Sequence, residues 1–274
     1  MLPAITSPAS PPVALTIAGS DSSAGAGVQA DLKTFAAHQV YGVNALTGIV
    51  AEAPGSVSRV QPVDSTLLGA QLNRVSSAFP IHALKTGMLA TADNISVVAD
   101  FVRERTDTPF VVDPVMRATA GPNLLDAAGR ELLKSELIPL ATLVTPNLPE
   151  TADLLGVDPQ TLNPADAATQ LFEAYGAGFL VKGGHAEKSS TVVDFACISG
   201  NLFEIPHPRL EVPDVHGTGC TLSATITARL ALGQSLLEAI TGGVSYLTDC
   251  LETHFSWPQS GGSESLNHFP NSVD

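Results

Sequence analysis

Basic residues are scarce in this 274-residue chain: 13 Lys and Arg stand against 27 Asp and Glu, a formal net charge of −14. That balance repels nucleic acid and excludes binding that tracks phosphates with a lysine- or arginine-rich surface. It does not exclude a nucleotide, whose phosphates can be held by backbone N–H groups and a metal ion. Cysteine is equally sparse. Cys197, Cys220 and Cys250 are odd in number and lack C-x-x-C spacing, which argues against a disulfide framework or a zinc site and for a reducing cytoplasm. No apolar run approaches the roughly 18 residues of a membrane span, so a soluble protein is expected. The opening Met1–Pro12 has no Lys or Arg and reads as a flexible leader rather than a signal peptide. The motif G-x-x-x-x-G-K-S/T is missing, which excludes a P-loop enzyme.

What is present is a large apolar fraction, 44%, enough for one α/β domain over residues 13–255. Short apolar runs read as buried strands: Val13–Ala18, Val43–Val50, Ala83–Lys85, Phe110–Asp113, Thr142–Thr145 and Phe179–Lys182. Helical patterns lie between them near Gly27–His38, Ser65–Ala78, Ala92–Arg105, Ala127–Glu136, Pro149–Leu155 and Pro164–Tyr175. This alternation predicts a mostly parallel sheet covered on both faces. Thr191–Ala196 and Leu202–Pro206 flank Ser199-Gly200-Asn201 and predict a small hairpin. Two helices, Gly219–Leu232 and Ser235–Thr253, follow, and the Gly/Ser-rich tail 256–274 reads as mobile.

In such a sheet, ligands gather at the C-terminal strand ends. The densest signal is His216-Gly217-Thr218-Gly219-Cys220, just before a long helix. Unpaired N–H groups of a first helical turn, with the positive end of the helix dipole behind them, form a cradle for transferring phosphoryl groups. The dipole is expected to lower the pKa of Cys220, making it a proton acceptor. The bland alternative is a Gly-rich cap with a small buried Cys. Asn147-Leu148-Pro149-Glu150 reads as a capping box, and its amide and carboxylate could also hold the waters of Mg²⁺. Asp113 ends a strand at the same edge. Lys182 precedes Gly183-Gly184-His185 and suits a phosphate, the glycines allowing its close approach. Gly25-Ala26-Gly27-Val28-Gln29-Ala30 matches a dinucleotide fingerprint formally, but it lies too far from the end of the first strand.

In order, Ala14–Asp21, Gly25–Phe35, Lys85–Leu89, Val112–Met116, Thr145–Glu150, Lys182–His185 and His216–Thr221 resemble the hydroxymethylpyrimidine/phosphomethylpyrimidine kinases of thiamine biosynthesis, within the ribokinase-like superfamily. The resemblance spans about residues 13–255. It implies a three-layer α/β/α sandwich and ATP- and Mg²⁺-dependent phosphorylation of 4-amino-5-hydroxymethyl-2-methylpyrimidine, then of its monophosphate. It implies a pyrimidine pocket of Gly19, Ala26, Asp31, Val50, Glu52, Met88 and Val115. It assigns Lys182 and the loop Gly217, Thr218, Gly219 and Cys220 to the phosphates and the transfer, and Asp113, Asn147 and Glu150 to the metal. Superfamily members usually carry Asp where Cys220 stands, which narrows the resemblance to the pyrimidine/pyridoxal branch. The superfamily also implies a homodimer.

One departure concerns the ring. The pyrimidine kinases usually have Gln at the position of Glu52, and a carboxylate can only accept hydrogen bonds. A pyridoxal kinase of the same branch is therefore the alternative; a catalytically silent pyrimidine-binding sensor is the alternative from another class. A segment must exclude water from the phosphoryl group, and Arg117–Pro122 is the expected lid.

Overall fold

The computed structural model describes residues 10–53, 55–116, 124–183, 189–212, 215–257, 259 and 264–270. Arg117–Pro122, Gly184, His185 and most of the leader lie outside these residues. The elements run β1 (Val13–Asp21), α1 (Gly27–Ala37), β2 (Tyr41–Ala53), β3 (Ser56–Pro62), α2 (Ser65–Ala78), β4 (Ile81–Thr86), α3 (Ala92–Arg103), β5 (Phe110–Val112), α4 (Ala127–Leu132), β6 (Leu143–Val144), α5 (Leu148–Leu155), α6 (Pro164–Tyr175) and β7 (Gly178–Val181). The C-terminal part adds β8 (Thr191–Ile198), β9 (Asn201–Pro208), β10 (Val215–His216), α7 (Thr218–Ala231), α8 (Leu236–Glu252) and β11 (Glu264–Ser265).

One nine-stranded sheet has the order β3-β2-β1-β4-β5-β6-β7-β8-β9. Its centre, β2 to β7, is parallel, and antiparallel strands close both edges. The expected hairpin therefore extends the main sheet. Ser199 and Gly200 both have positive φ, as a two-residue turn between right-twisted strands requires.

Side-chain alternation along the strands separates two apolar layers. Leu15, Ile17, Val112 and Phe179 face α2, α3 and α6. Ala14, Ala83, Val111 and Leu180 face α7 and α8. The alanines on that side let α7, itself rich in Ala, Ser and Thr, lie close to the sheet, and its first turn reaches the C-terminal strand edge.

Three strands escaped the sequence reading. In β3, Val57 and Val60 are only part-buried and the rest, Pro62 apart, is exposed and polar, so no apolar alternation marks it. The pair β10–β11 is two residues long. It corrects the expectation of a wholly mobile tail, because Leu266 and His268 are buried. The His268 ring lies 3.2 Å from the Thr221 hydroxyl of α7, and Tyr246 Oη of α8 donates to the His268 carbonyl at 2.6 Å.

Candidate active site

Two glycines at the start of α7 do different work. Gly217 has φ +85°, and a Cβ there would lie 1.9 Å from the Gly25 carbonyl oxygen, so only glycine allows the two loops to meet. Gly219 faces the site. A Cβ on it would stand 3.5 Å from Lys182 Nζ and 3.7 Å from Asp113 Oδ2. The missing side chain leaves open the space between a cation and a carboxylate at the first turn of α7. Lys182 and Asp113 directly follow β7 and β5 and Gly219 lies in α7, so the fold joins three segments the sequence keeps far apart. Asp113 is buried and accepts from Ser223 Oγ at 3.3 Å.

The metal assignment rests on oxygen donors beside this space. Asn147 caps α5: its side chain accepts from the Glu150 N–H at 2.8 Å, and Glu150 Oε2 accepts from the Asn147 N–H at 2.9 Å. The capping box leaves one Glu150 oxygen uncommitted. Burial, reinforced by the charge of Asp113 and opposed by Lys182, pushes the Glu150 carboxyl up to about 7. A part-buried pair of carboxylates that resists holding two negative charges fits a hard divalent cation.

Cys220 departs from expectation. Burial pushes its thiol up to about 12, although the residue keeps some contact with solvent. The Lys85 ammonium and the Gly27 N–H pull it down, and the charges of Asp113 and Asp31 push it further up. The dipole of α7 does not produce an acidified thiol, because desolvation of the anion costs more. At neutral pH Cys220 is a thiol.

The sequence reading did not foresee the role of Lys85. Fully buried on β4, it donates to Asp31 Oδ1 at 2.7 Å, while Thr16 Oγ1 donates to Asp31 Oδ2 at 2.6 Å. Burial alone would lower the lysine's pKa, but the charges of Asp31 and Asp113 and the hydrogen bond to Asp31 raise it. Both oxygens of Asp31, expected at the ring pocket, are engaged by Lys85 and Thr16, with no side-chain surface exposed. A lone Lys ending a buried strand was the available signal, but its partner lies 54 residues away.

The other residues expected to line a ring pocket lie at the ends of β1, β2, β4 and β5 and at the start of α1. A Cβ on Gly19 would stand 2.5 Å from Met88 Cε, so the two are in contact. Val50 is buried near the end of β2, Ala26 caps α1, and the Val115 N–H donates to the Asp113 carbonyl at 2.8 Å. Register shifts at Ala18/Gly19 and Ala51/Glu52 bend these strand ends and re-aim their side chains. The Glu52 carboxylate meets His216 Nε2 at 3.3 Å. Gly183 is also corrected. A Cβ there would lie 1.9 Å from the Val193 carbonyl, and its N–H donates to Asp194 Oδ1 at 2.7 Å, so it is a packing glycine against β8.

Residues 21–264 match the model of the family described as phosphomethylpyrimidine kinase. The chain belongs to that family. A hydroxymethylpyrimidine/phosphomethylpyrimidine kinase of Staphylococcus aureus (strain N315) is 36% identical over 262 residues, 94% of each chain. A phosphomethylpyrimidine kinase structure from Clostridium difficile 630 superposes with TM-score 0.75 and 33% identity, covering 86% of this kinase and 98% of that chain. The S. aureus pyridoxal kinase with AMP-PCP and pyridoxal gives TM-score 0.85 and 33% identity over 97% and 96% of the two chains. The fold is the expected ribokinase-like sandwich, and no helix among the described residues is long and apolar enough to cross a membrane.

Proposed function

We propose that this kinase transfers the γ-phosphoryl group of ATP to 4-amino-5-hydroxymethyl-2-methylpyrimidine, and then a second one to the monophosphate, supplying thiamine biosynthesis. The observation that carries the reading is the convergence of Lys182, Asp113 and side-chain-free Gly219 at the first turn of α7. A phosphoryl group there meets backbone N–H groups and a cation as charge spreads over its oxygens. Asp113, Asn147 and Glu150 would hold Mg²⁺, which neutralises phosphate charge.

The ring lies toward Gly19, Val50, Glu52, Met88 and Val115, with its hydroxymethyl oxygen turned to the loop. That oxygen forms its bond to phosphorus as the bond from phosphorus to ADP breaks. In a loose transition state the hydroxyl proton need not leave early. Cys220 is a thiol at rest, so to accept the hydroxyl proton it first releases its own proton to water, a step that Lys85 and the Gly27 N–H favour, and the thiolate then takes the proton of the attacking hydroxyl. We place the enzyme in the cytoplasm, in keeping with its three free cysteines, and as a homodimer, in keeping with its superfamily.

The test is ADP release with hydroxymethylpyrimidine, its monophosphate and pyridoxal as acceptors. The two pyrimidines are expected to give the higher kcat/KM. A much higher value for pyridoxal would replace this substrate by the second reading, which the carboxylate at Glu52 and the likeness to a pyridoxal kinase favour.

A further inference from the structure

A part-buried group beside the phosphoryl loop has no role in the chemistry above. His216 lies on β10, immediately before Gly217, and its Nε2 stands 3.2 Å from Asp21 Oδ2 and 3.3 Å from Glu52 Oε1. The side chains of Asp21, Glu52 and His216 are 3%, 15% and 13% exposed. One ring nitrogen therefore faces two carboxylate oxygens. A lone pair in that position would be repelled by both, so Nε2 carries the proton: it donates to Asp21 Oδ2 and turns its positive edge to the Glu52 carboxylate.

Asp21 is already committed. Its oxygens accept from the Ser23, Gly25 and Ala26 N–H groups at 2.7–3.1 Å and from Ser23 Oγ at 2.9 Å, organising the loop between β1 and α1. That leaves it little capacity for a cation, but makes it a fixed anchor for an N–H. Glu52 is tied to the same loop through its backbone: Ser22 Oγ donates to the Glu52 carbonyl at 2.6 Å, and the Glu52 N–H donates to Ser22 Oγ at 2.8 Å. A Cβ on Gly25 would meet His216 Cδ2 at 2.8 Å, so the imidazole is pressed against that loop. From behind, β10 is paired to β11, His216 opposite Ser265.

We infer that His216 is a positioning residue for substrate specificity: anchored by Asp21, it holds the Glu52 carboxylate in place as the acceptor that reads the substrate ring. Its neighbours fix the direction of the effect. Burial raises the Glu52 pKa, His216 opposes this, and Asp21 adds to it. Without His216, two carboxylates face each other with no proton between them; Glu52 then takes up a proton or swings away. Either change alters which edge of the ring is recognised. Because His216 adjoins Gly217, the ring-reading carboxylate and the phosphoryl loop share one support.

The inference rests on Glu52 touching the ring, and the test separates the two claims. Steady-state constants are measured for His216→Ala, Glu52→Ala and the double variant, with His216→Gln keeping an N–H donor. His216→Ala is expected to raise KM for hydroxymethylpyrimidine about tenfold, the scale of coupling between contacting groups, with a smaller change in kcat and in KM for ATP. In the Glu52→Ala background it should add nothing, and His216→Gln should restore most of the loss. An equal further rise in the double variant, or equal shifts in both KM values, overturns the positioning role. If His216→Ala does not fold, a tenfold loss in folded His216→Gln overturns it instead. An unchanged KM for the ring in Glu52→Ala alone removes the ring contact itself, and the inference with it.

Discussion

Removing a side chain matters as much here as supplying one. At Gly219 an added methyl group would meet neighbours at ordinary contact distances, 3.5 Å or more. It would also fill the space between Lys182 and Asp113. Gly219→Ala is therefore expected to fold with a melting temperature near that of the parent, yet lose kcat/KM for ATP by about tenfold or more, since small misplacements of a phosphoryl group are costly. Parent-like kinetics would show that phosphate does not pass there. Among single residues, the sequence exposed the types but not the depth. The helix dipole at Cys220 was visible, whereas the burial that outweighs it was not. Likewise Asp31 looked like one more acid on a helix, and only the fold brings it against Lys85.

Elements were legible where a local device ends them. Asp64 caps α2, and Asn163 with Pro164 starts α6; both helices run over the expected residues. Strands with two buried faces, such as Phe110–Val112, declared themselves by apolar runs. Strands built from long-range pairing alone did not, and β11 is the case with consequences. Its neighbour His268 is 3% exposed. Burial, helped by the Lys33 charge and opposed by a backbone hydrogen bond at Leu266, lowers its pKa to about 4 from an ordinary 6.5. The unfolded chain binds this proton more tightly than the folded one, so stability is lost as pH falls from the unfolded value toward the folded one. On the order of 3 kcal/mol should disappear across that window. Deleting residues 264–274 should lower stability at neutral pH by about 2 kcal/mol through Leu266 alone and abolish the His268 part of the acid sensitivity. Denaturant unfolding at neutral and acidic pH checks both; an unchanged midpoint after deletion would show that the tail contributes nothing.

For the whole molecule, the parallel sheet explains why the chemistry collects at one edge. The ends of β1, β2, β4, β5, β6 and β7 deliver Asp21, Glu52, Lys85, Asp113, Asn147 and Lys182, and α7 closes the group from the other side. The capping-box reading of Asn147 is borne out, whereas Gly183, read as room for a phosphate, packs against β8. What turns the set into a site is convergence, which depends on strand order and cannot be read from spacing. The part of the proposal that commits most is that phosphoryl transfer runs past the thiol of Cys220. Single-turnover transfer from ATP to hydroxymethylpyrimidine by folded Cys220→Ala, with ATP binding checked separately, decides it. A fall of about 10²-fold or more, the scale of a lost general base, with ATP binding retained, is the predicted result; transfer at close to the parent rate would contradict it.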